Sequence, residues 1–163
     1  MFREMRRRPQ LLGDEETLSI IENCSYGVLA LIGDGGYPYT VPLNYVYSDG
    51  KIYFHGAKSG HKVDAIRNCD KACFCVVEKD KVVPEEYATH YSSVVAFGRI
   101  RILDEETEIR RSIEMLAARH GPGSREEDMR AIEAELAALC MFELSIEHIT
   151  GKEAKALAQQ RKK

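Results

Sequence analysis

Residues 26–55, YGVLALIGDGGYPYTVPLNYVYSDGKIYFH, decide the fold. Tyr26 to Ile32 is a continuous apolar run, too short for an uncapped helix, and reads as a strand buried on both faces. Asp34-Gly35-Gly36 is hairpin-turn chemistry. From Tyr39 to Tyr47 the chain alternates: Tyr39, Val41, Leu43, Tyr45 and Tyr47 take one side, Thr40, Pro42, Asn44 and Val46 the other. Ser48-Asp49-Gly50 turns it again into Ile52-Tyr53-Phe54-His55. Three strands joined by tight turns make an antiparallel meander.

The flanking sequence completes a barrel. Upstream, Asp14-Glu15-Glu16 opens a helix that Asp14 can cap, with Leu18, Ile21 and Cys24 on one face. Downstream, Ser59 to Asn68 reads as a short helix and Ala72 to Val77 as a fourth strand. Glu78 to His90 is polar, contains Pro84 and reads as a long loop. Val94 to Leu103 alternates as a fifth strand. Residues 104–135 hold ten acids against five bases, with helical periodicity through Ile109, Ile113 and Leu116, then Met129, Ile132, Leu136 and Leu139. His120-Gly121-Pro122-Gly123 separates the two helices, and Ser124-Arg125-Glu126-Glu127 is a capping box for the second. A sixth strand, Met141 to Ile149, precedes a basic tail. The expectation is a single domain over residues 1–163, mainly β with peripheral helices: a six-stranded antiparallel split barrel with a helical segment at about 105–139.

Composition narrows the function classes. The 163 residues are 44% hydrophobic and 30% charged, as in an ordinary globular domain. A net charge of −3 argues against a nucleic-acid binder. No apolar run approaches the roughly 20 residues that span a bilayer, and the charged N-terminus has no apolar stretch behind it to make a secretory signal. Five cysteines, an odd number, fit reduced thiols in a cytoplasmic protein.

The chemistry concentrates in His55-Gly56-Ala57-Lys58-Ser59-Gly60-His61-Lys62. Small residues let a ligand approach the backbone, while a helix start and Lys58, His61 and Lys62 supply positive charge. That suits a phosphate or another dianion, and equally an ordinary strand-to-helix turn with solvated lysines. Pro42 marks an edge or a bulge, since it cannot donate to a ladder. Backbone groups near Val41, Leu43 and Asn44 are then open to a planar heterocycle, or are simply an edge. His55 is either structural or a proton donor beside a redox group. The competing constellation is zinc on His55, His61, Cys69, Cys73 and Cys75, but no C-x-x-C or paired knuckle supports it; no metal is expected.

Tyr37 to Tyr47, Lys51 to Ala57 and Gly60 to Ile66 resemble the core of the nitroimidazole-resistance branch of the pyridoxamine phosphate oxidase-like proteins. Tyr91 to Arg99 and Ile149-Thr150-Gly151-Lys152-Glu153 resemble that family's later elements, so the likeness runs from Arg6 to about Ala154. The resemblance implies a split barrel that dimerises, FMN in the cleft between subunits, and reduction of nitroimidazoles or related small molecules. Val41, Pro42, Leu43 and Asn44 would flank the flavin ring; Gly56, His61 and Lys62 would hold its phosphate. His55 would be the catalytic residue near the ring, and Ser93 would approach it from a neighbouring strand. Relatives that act as pyridoxamine phosphate oxidases carry Arg-Lys where His61-Lys62 stand, together with an Arg-containing C-terminal motif, so that oxidase activity is not expected. The alternative is a flavin- or haem-binding sensor or carrier without turnover.

Overall fold

The computed structural model describes residues 2–121, 130, 132–133 and 138–161. Its strands are β1 (Tyr26–Ile32), β2 (Pro38–Asn44), β3 (Val46–Ser48), β4 (Lys51–Ala57), β5 (Lys71–Val83), β6 (Ala88–Ile102) and β7 (Leu139–Glu153). Among the described residues, the helices whose bounds are defined are α1 (Asp14–Asn23), α2 (His61–Asn68), α3 (Glu106–His120) and α4 (Lys155–Arg161). All strand pairs are antiparallel, in the order β2-β1-β5-β6-β7-β4-β3.

That order dictates the shape. β2 and β3 are the two edges of the sheet, yet only Tyr45 separates them along the chain. The edges must therefore meet in space, so the sheet rolls into a barrel whose seam is crossed by one residue and is not closed by a ladder. Tyr45 is fully buried at that seam, its hydroxyl donating to the Ile21 carbonyl at 2.6 Å and its ring set edge-on to Phe74 at 5.0 Å. Tyr45→Phe should leave that buried carbonyl unpaired and cost about 1–2 kcal/mol, measured as a lower urea midpoint with unchanged slope.

Phe54, Phe74 and Phe142 stack inside the barrel with Leu29, Ile52, Val76, Val94 and Leu144, all fully buried. Each such side chain contributes roughly 1.5–3 kcal/mol by leaving water. A second cluster lies on the outer side of the sheet, where Ile113 and Leu116 of α3, with Ile132, cover Val46 and Met141.

Several expectations change. Seven strands form rather than six, because the alternating stretch Tyr39 to Tyr47 hands over from one edge to the other at Tyr45. β1 is not buried on both faces: Gly27, Leu29 and Leu31 point inward, whereas Val28 and Ala30 are half-buried and Tyr26 and Ile32 exposed. Gly13, not Asp14, caps α1, its N–H donating to the Glu16 carboxylate at 2.7 Å. The expected loop from Glu78 to His90 is instead the far half of a long hairpin, turned by Pro84–Glu86 after a bulge at Glu78. The basic tail folds as α4, clasped by Arg161 to Glu16 at 2.6 Å and to buried Glu153 at 2.8 Å. The capping box Ser124 to Glu127 lies outside the described residues, as does most of the second helix expected there; Leu139, assigned to that helix, begins β7.

Candidate functional site at the barrel end

The loop after β4 carries the chain over one end of the barrel, and α2 caps that end with Val63, Ala65 and Ile66 buried. Gly60, in an extended conformation with φ +118° open chiefly to glycine, lets α2 start abruptly. Among the first N–H groups of α2, those of Val63 and Asp64 donate to the Gly60 carbonyl at 2.8 and 3.2 Å, and those of His61 and Lys62 stand at the open end of the helix.

Lys62 is the organising residue. Its side chain folds back over Gly56, where any Cβ would collide with the ammonium, and Nζ sits 5.0 Å from the centroid of the Phe142 ring. Burial holds its pKa below the usual lysine value, opposed by the nearby Cys140 thiol. Among the described residues no carboxylate pairs with it. A half-dehydrated ammonium over an aromatic face is short of counter-charge, and an arriving anion supplies it. Cys140 donates to the Ala57 carbonyl at 3.3 Å, and burial raises its pKa against the pull of Lys62, Lys58 and Arg67.

His61 faces elsewhere. Its ring stacks on Tyr39 at 4.2 Å and its Nε2 accepts the Asp34 N–H at 3.3 Å, which pins α2 to the turn between β1 and β2. Of His61, the backbone N–H is what α2 presents at its start.

His55 and Gly56 are adjacent in sequence, so their directions oppose one another across β4. Gly56 faces the Lys62 side; His55 is exposed on the α3 side, opposite Met141. Gly56 nonetheless joins the two, because His55, Gly56, Ala57, Ala138 and Leu139 line an open cleft of about 410 Å³. Lys62 does not line that cleft, which meets its cradle only at Gly56.

The remaining sequence candidates divide between faces. Val41 and Leu43 turn inward against the core, while Pro42 and Asn44 face out on β2, an edge strand as the proline required. Asn44 donates its side-chain amide to the Ser25 carbonyl at 2.9 Å. Ser93 faces out on β6, paired with Val77 and Lys152. Pro42, Asn44 and Ser93 thus share the outer sheet surface, separated by β1 and β5, and one chain does not gather them with Lys62. Among the described residues no three His, Cys, Asp or Glu side chains converge as a metal centre needs. Cys73 and Cys75 lie on the outer face beside Val28 and Ala30, where burial raises both thiol pKa values.

Sequence reasoning missed Tyr39, Asp34, Phe142 and Cys140. Tyr39 and Asp34 flank the first turn, yet nothing local signals that α2 packs there. A cavity of about 650 Å³ between α1, α4 and the root of the β5–β6 hairpin contains none of the candidates.

A split barrel capped at one end by a helix is the architecture that the comparisons recognise. The chain belongs to the pyridoxamine 5'-phosphate oxidase family, whose model matches residues 13–153. No curated protein matches the sequence significantly. Among solved structures it is similar to a protein of Bacteroides thetaiotaomicron named for 5-nitroimidazole antibiotic resistance, with TM-score 0.73 and 17% identity over 88% of this chain and 86% of that one. A FAD-binding protein of Mesorhizobium loti is 25% identical, with TM-score 0.66, over 90% of this chain and 98% of that one. A FAD and heme binding protein of Mycobacterium smegmatis gives TM-score 0.67 and 19% identity, over 88% of this chain and 72% of that one. No described helix is long and apolar enough to cross a membrane.

Proposed function

We propose that this chain is an FMN-dependent oxidoreductase of the cytoplasm that reduces electron-poor small molecules, nitroaromatics among them. The observation that carries the reading is Lys62: a half-buried ammonium without a carboxylate partner among the described residues, set over a glycine at a helix start. The Gly56 cradle and the start of α2 fit a phosphate monoester, and the cleft beyond Gly56 leaves room for a ring. A flavin held there supplies two-electron transfer. The chain's own residues hold its phosphate and, at His55, deliver a proton to the substrate. The family match and the flavin-binding neighbours support this reading.

The active unit is a homodimer with the flavin between subunits. Pro42, Asn44 and Ser93 of one chain stand on its outer sheet face, and a second copy against that face brings them to the first copy's cradle. The face is apolar: Tyr26, Val28, Ala30, Ile32, Cys73, Cys75, Val77, Val95 and Phe97 all point from it. Phe2 covers only its margin, stacked on His148 at 4.8 Å.

Titration with FMN, FAD and riboflavin tests the placement. FMN should bind most tightly, and Lys62→Ala should weaken it about tenfold to thirtyfold, the loss of one charge-assisted contact. Riboflavin, which lacks the phosphate, should be indifferent to the substitution. Equal affinities for FMN and riboflavin would remove the phosphate from this site. A second reading, a flavin- or haem-binding carrier without turnover, takes support from the neighbour named for FAD and heme binding. A Soret band in the purified protein would favour it.

A further inference from the structure

We propose that the cavity of about 650 Å³ between α1, α4 and the root of the β5–β6 hairpin binds a small organic ammonium ion with an apolar body. The cavity lies at the end of the barrel opposite α2. There α1 runs into β1 at Tyr26, whereas the other end of β1 turns at Asp34, where His61 pins α2. The two ends are separate, so this inference stands apart from the flavin reading.

The lining combines an apolar wall with excess negative charge. Leu12, Ile20 and Leu157 form the wall, and the first two are buried. The polar side holds four carboxylates, Glu15, Glu16, Glu78 and Glu153, against two cations, Lys79 and Arg161. Arg161 is already engaged, with Glu16 at 2.6 Å, Glu153 at 2.8 Å and the Leu11 carbonyl at 3.0 Å. Two negative charges remain uncompensated.

A cluster of acids alone would be a solvated surface, but Glu153 is not solvated. Its side chain is 8% exposed, and its Oε1 is fully buried yet accepts no hydrogen bond. Arg161 balances the charge of that oxygen without aiming an N–H at it. A buried carboxylate oxygen without a donor is costly, and native structures seldom leave one so. A donor that enters from the cavity and displaces the Arg161 guanidinium, itself 35% exposed, completes the shell of Oε1.

The bulge on β5 supplies a second anchor. In a regular strand Glu78 and Lys79 would face opposite sides, but the register shift between Val77 and Lys79 lets both line the cavity. Ser92, 6% exposed, donates to Glu78 Oε2 at 2.6 Å and holds that carboxylate in place. Among the described residues no cationic side chain pairs with Glu78. Nor do three His, Cys, Asp or Glu side chains converge there closely enough for a metal ion, which leaves an organic cation as the occupant. Charge-assisted hydrogen bonds from its ammonium then add to contact of its apolar body with the wall.

The test is titration of the full chain with phenethylamine, followed by two-dimensional amide NMR. The dissociation constant should be about 1 mM or lower, with shifts at Ser19, Ser92 and Leu157 and none at Gly56 or Lys62. The neutral isostere phenethyl alcohol and the anion hydrocinnamate should bind at least about tenfold more weakly. Two neighbouring, exposed substitutions should move the affinity in opposite directions. Glu78→Gln should weaken the amine about tenfold, and Lys79→Gln should tighten it about twofold. A general loosening of the hairpin would weaken both. An alcohol that binds as well as the amine, an amine that shifts no cavity amide, or a Glu78→Gln affinity within twofold of wild type overturns the proposal.

Discussion

Glu143→Gln should destabilise the protein by about 2–3 kcal/mol at neutral pH, with the loss fading in acid. Glu143 lies on β7 beneath α3, its side chain 4% exposed. Burial alone would raise its pKa, but hydrogen bonds from Arg101 and Lys51, each at 3.0 Å, and their charges overcome this and hold it at about 2. Tyr53 reports the same environment from the neighbouring strand: burial first, then the Glu143 charge, push its phenol up to about 12. Arg101 also forks onto Glu108 of α3 at 2.7 and 3.0 Å, so the network ties that helix to the sheet face that carries His55. A folded pKa below the unfolded value of about 4.3 means that the unfolded chain binds more protons in between, and stability rises with pH. The contribution is complete above about pH 5, roughly halves by pH 3 and is lost as pH falls through the folded value. The gap between the folded and unfolded values sets an upper limit near about 3 kcal/mol, reduced because Lys51 and Arg101 are each about two-fifths exposed and recover hydration. Urea denaturation of wild type and variant at pH 7 and pH 3 checks this. A difference of equal size at both pH values would mean that the charge of Glu143 is not what stabilises.

Glu143 also shows where the sequence stops being legible. β1, β2 and β4 announce themselves through short apolar or alternating runs bounded by tight turns. At Tyr45 the alternation continues unbroken while the chain changes from one edge of the sheet to the other, and no periodicity records a change of partner. The hairpin arm reads as a loop because Lys79-Asp80-Lys81 lacks strand-forming side chains, its pairing being set by the register of β5 on β6. In β7 a bulge between the Phe97 and Gly98 pairings reverses which residues face inward. Glu143 thereby falls beneath α3, although its neighbours look like an ordinary buried strand. The site divides in the same way. Gly56 and Lys62 are visible as a small-residue loop before a helix, but the inward fold of Lys62 onto Phe142 depends on a strand eighty residues away. The opposed directions of His55 and Gly56 follow from their adjacency in a strand.

His55→Gln should lower turnover of an electron-poor substrate by about 10²–10⁴-fold while FMN occupancy stays close to wild type, the range expected when a general acid is removed. The reason is positional. His55 is exposed on the α3 side of β4 and lines the cleft of about 410 Å³, whereas the Lys62 cradle opens from the other side of the strand. A residue on the far side of Gly56 from the proposed phosphate site would contribute little to anchoring a phosphate, yet it lines the cleft that the proposed ring and substrate would share. Reduction moves protons as well as electrons, and a side chain within hydrogen-bond reach of the substrate can supply one. The two variants should therefore separate cleanly. Lys62→Ala lowers the amount of bound flavin and leaves turnover per flavin near wild type, while His55→Gln does the reverse. Dividing steady-state turnover by bound-flavin absorbance in each variant makes the comparison independent of loading. If His55→Gln instead empties the site and each remaining flavin works at the wild-type rate, His55 binds rather than catalyses, and the proton comes from water or from the partner subunit.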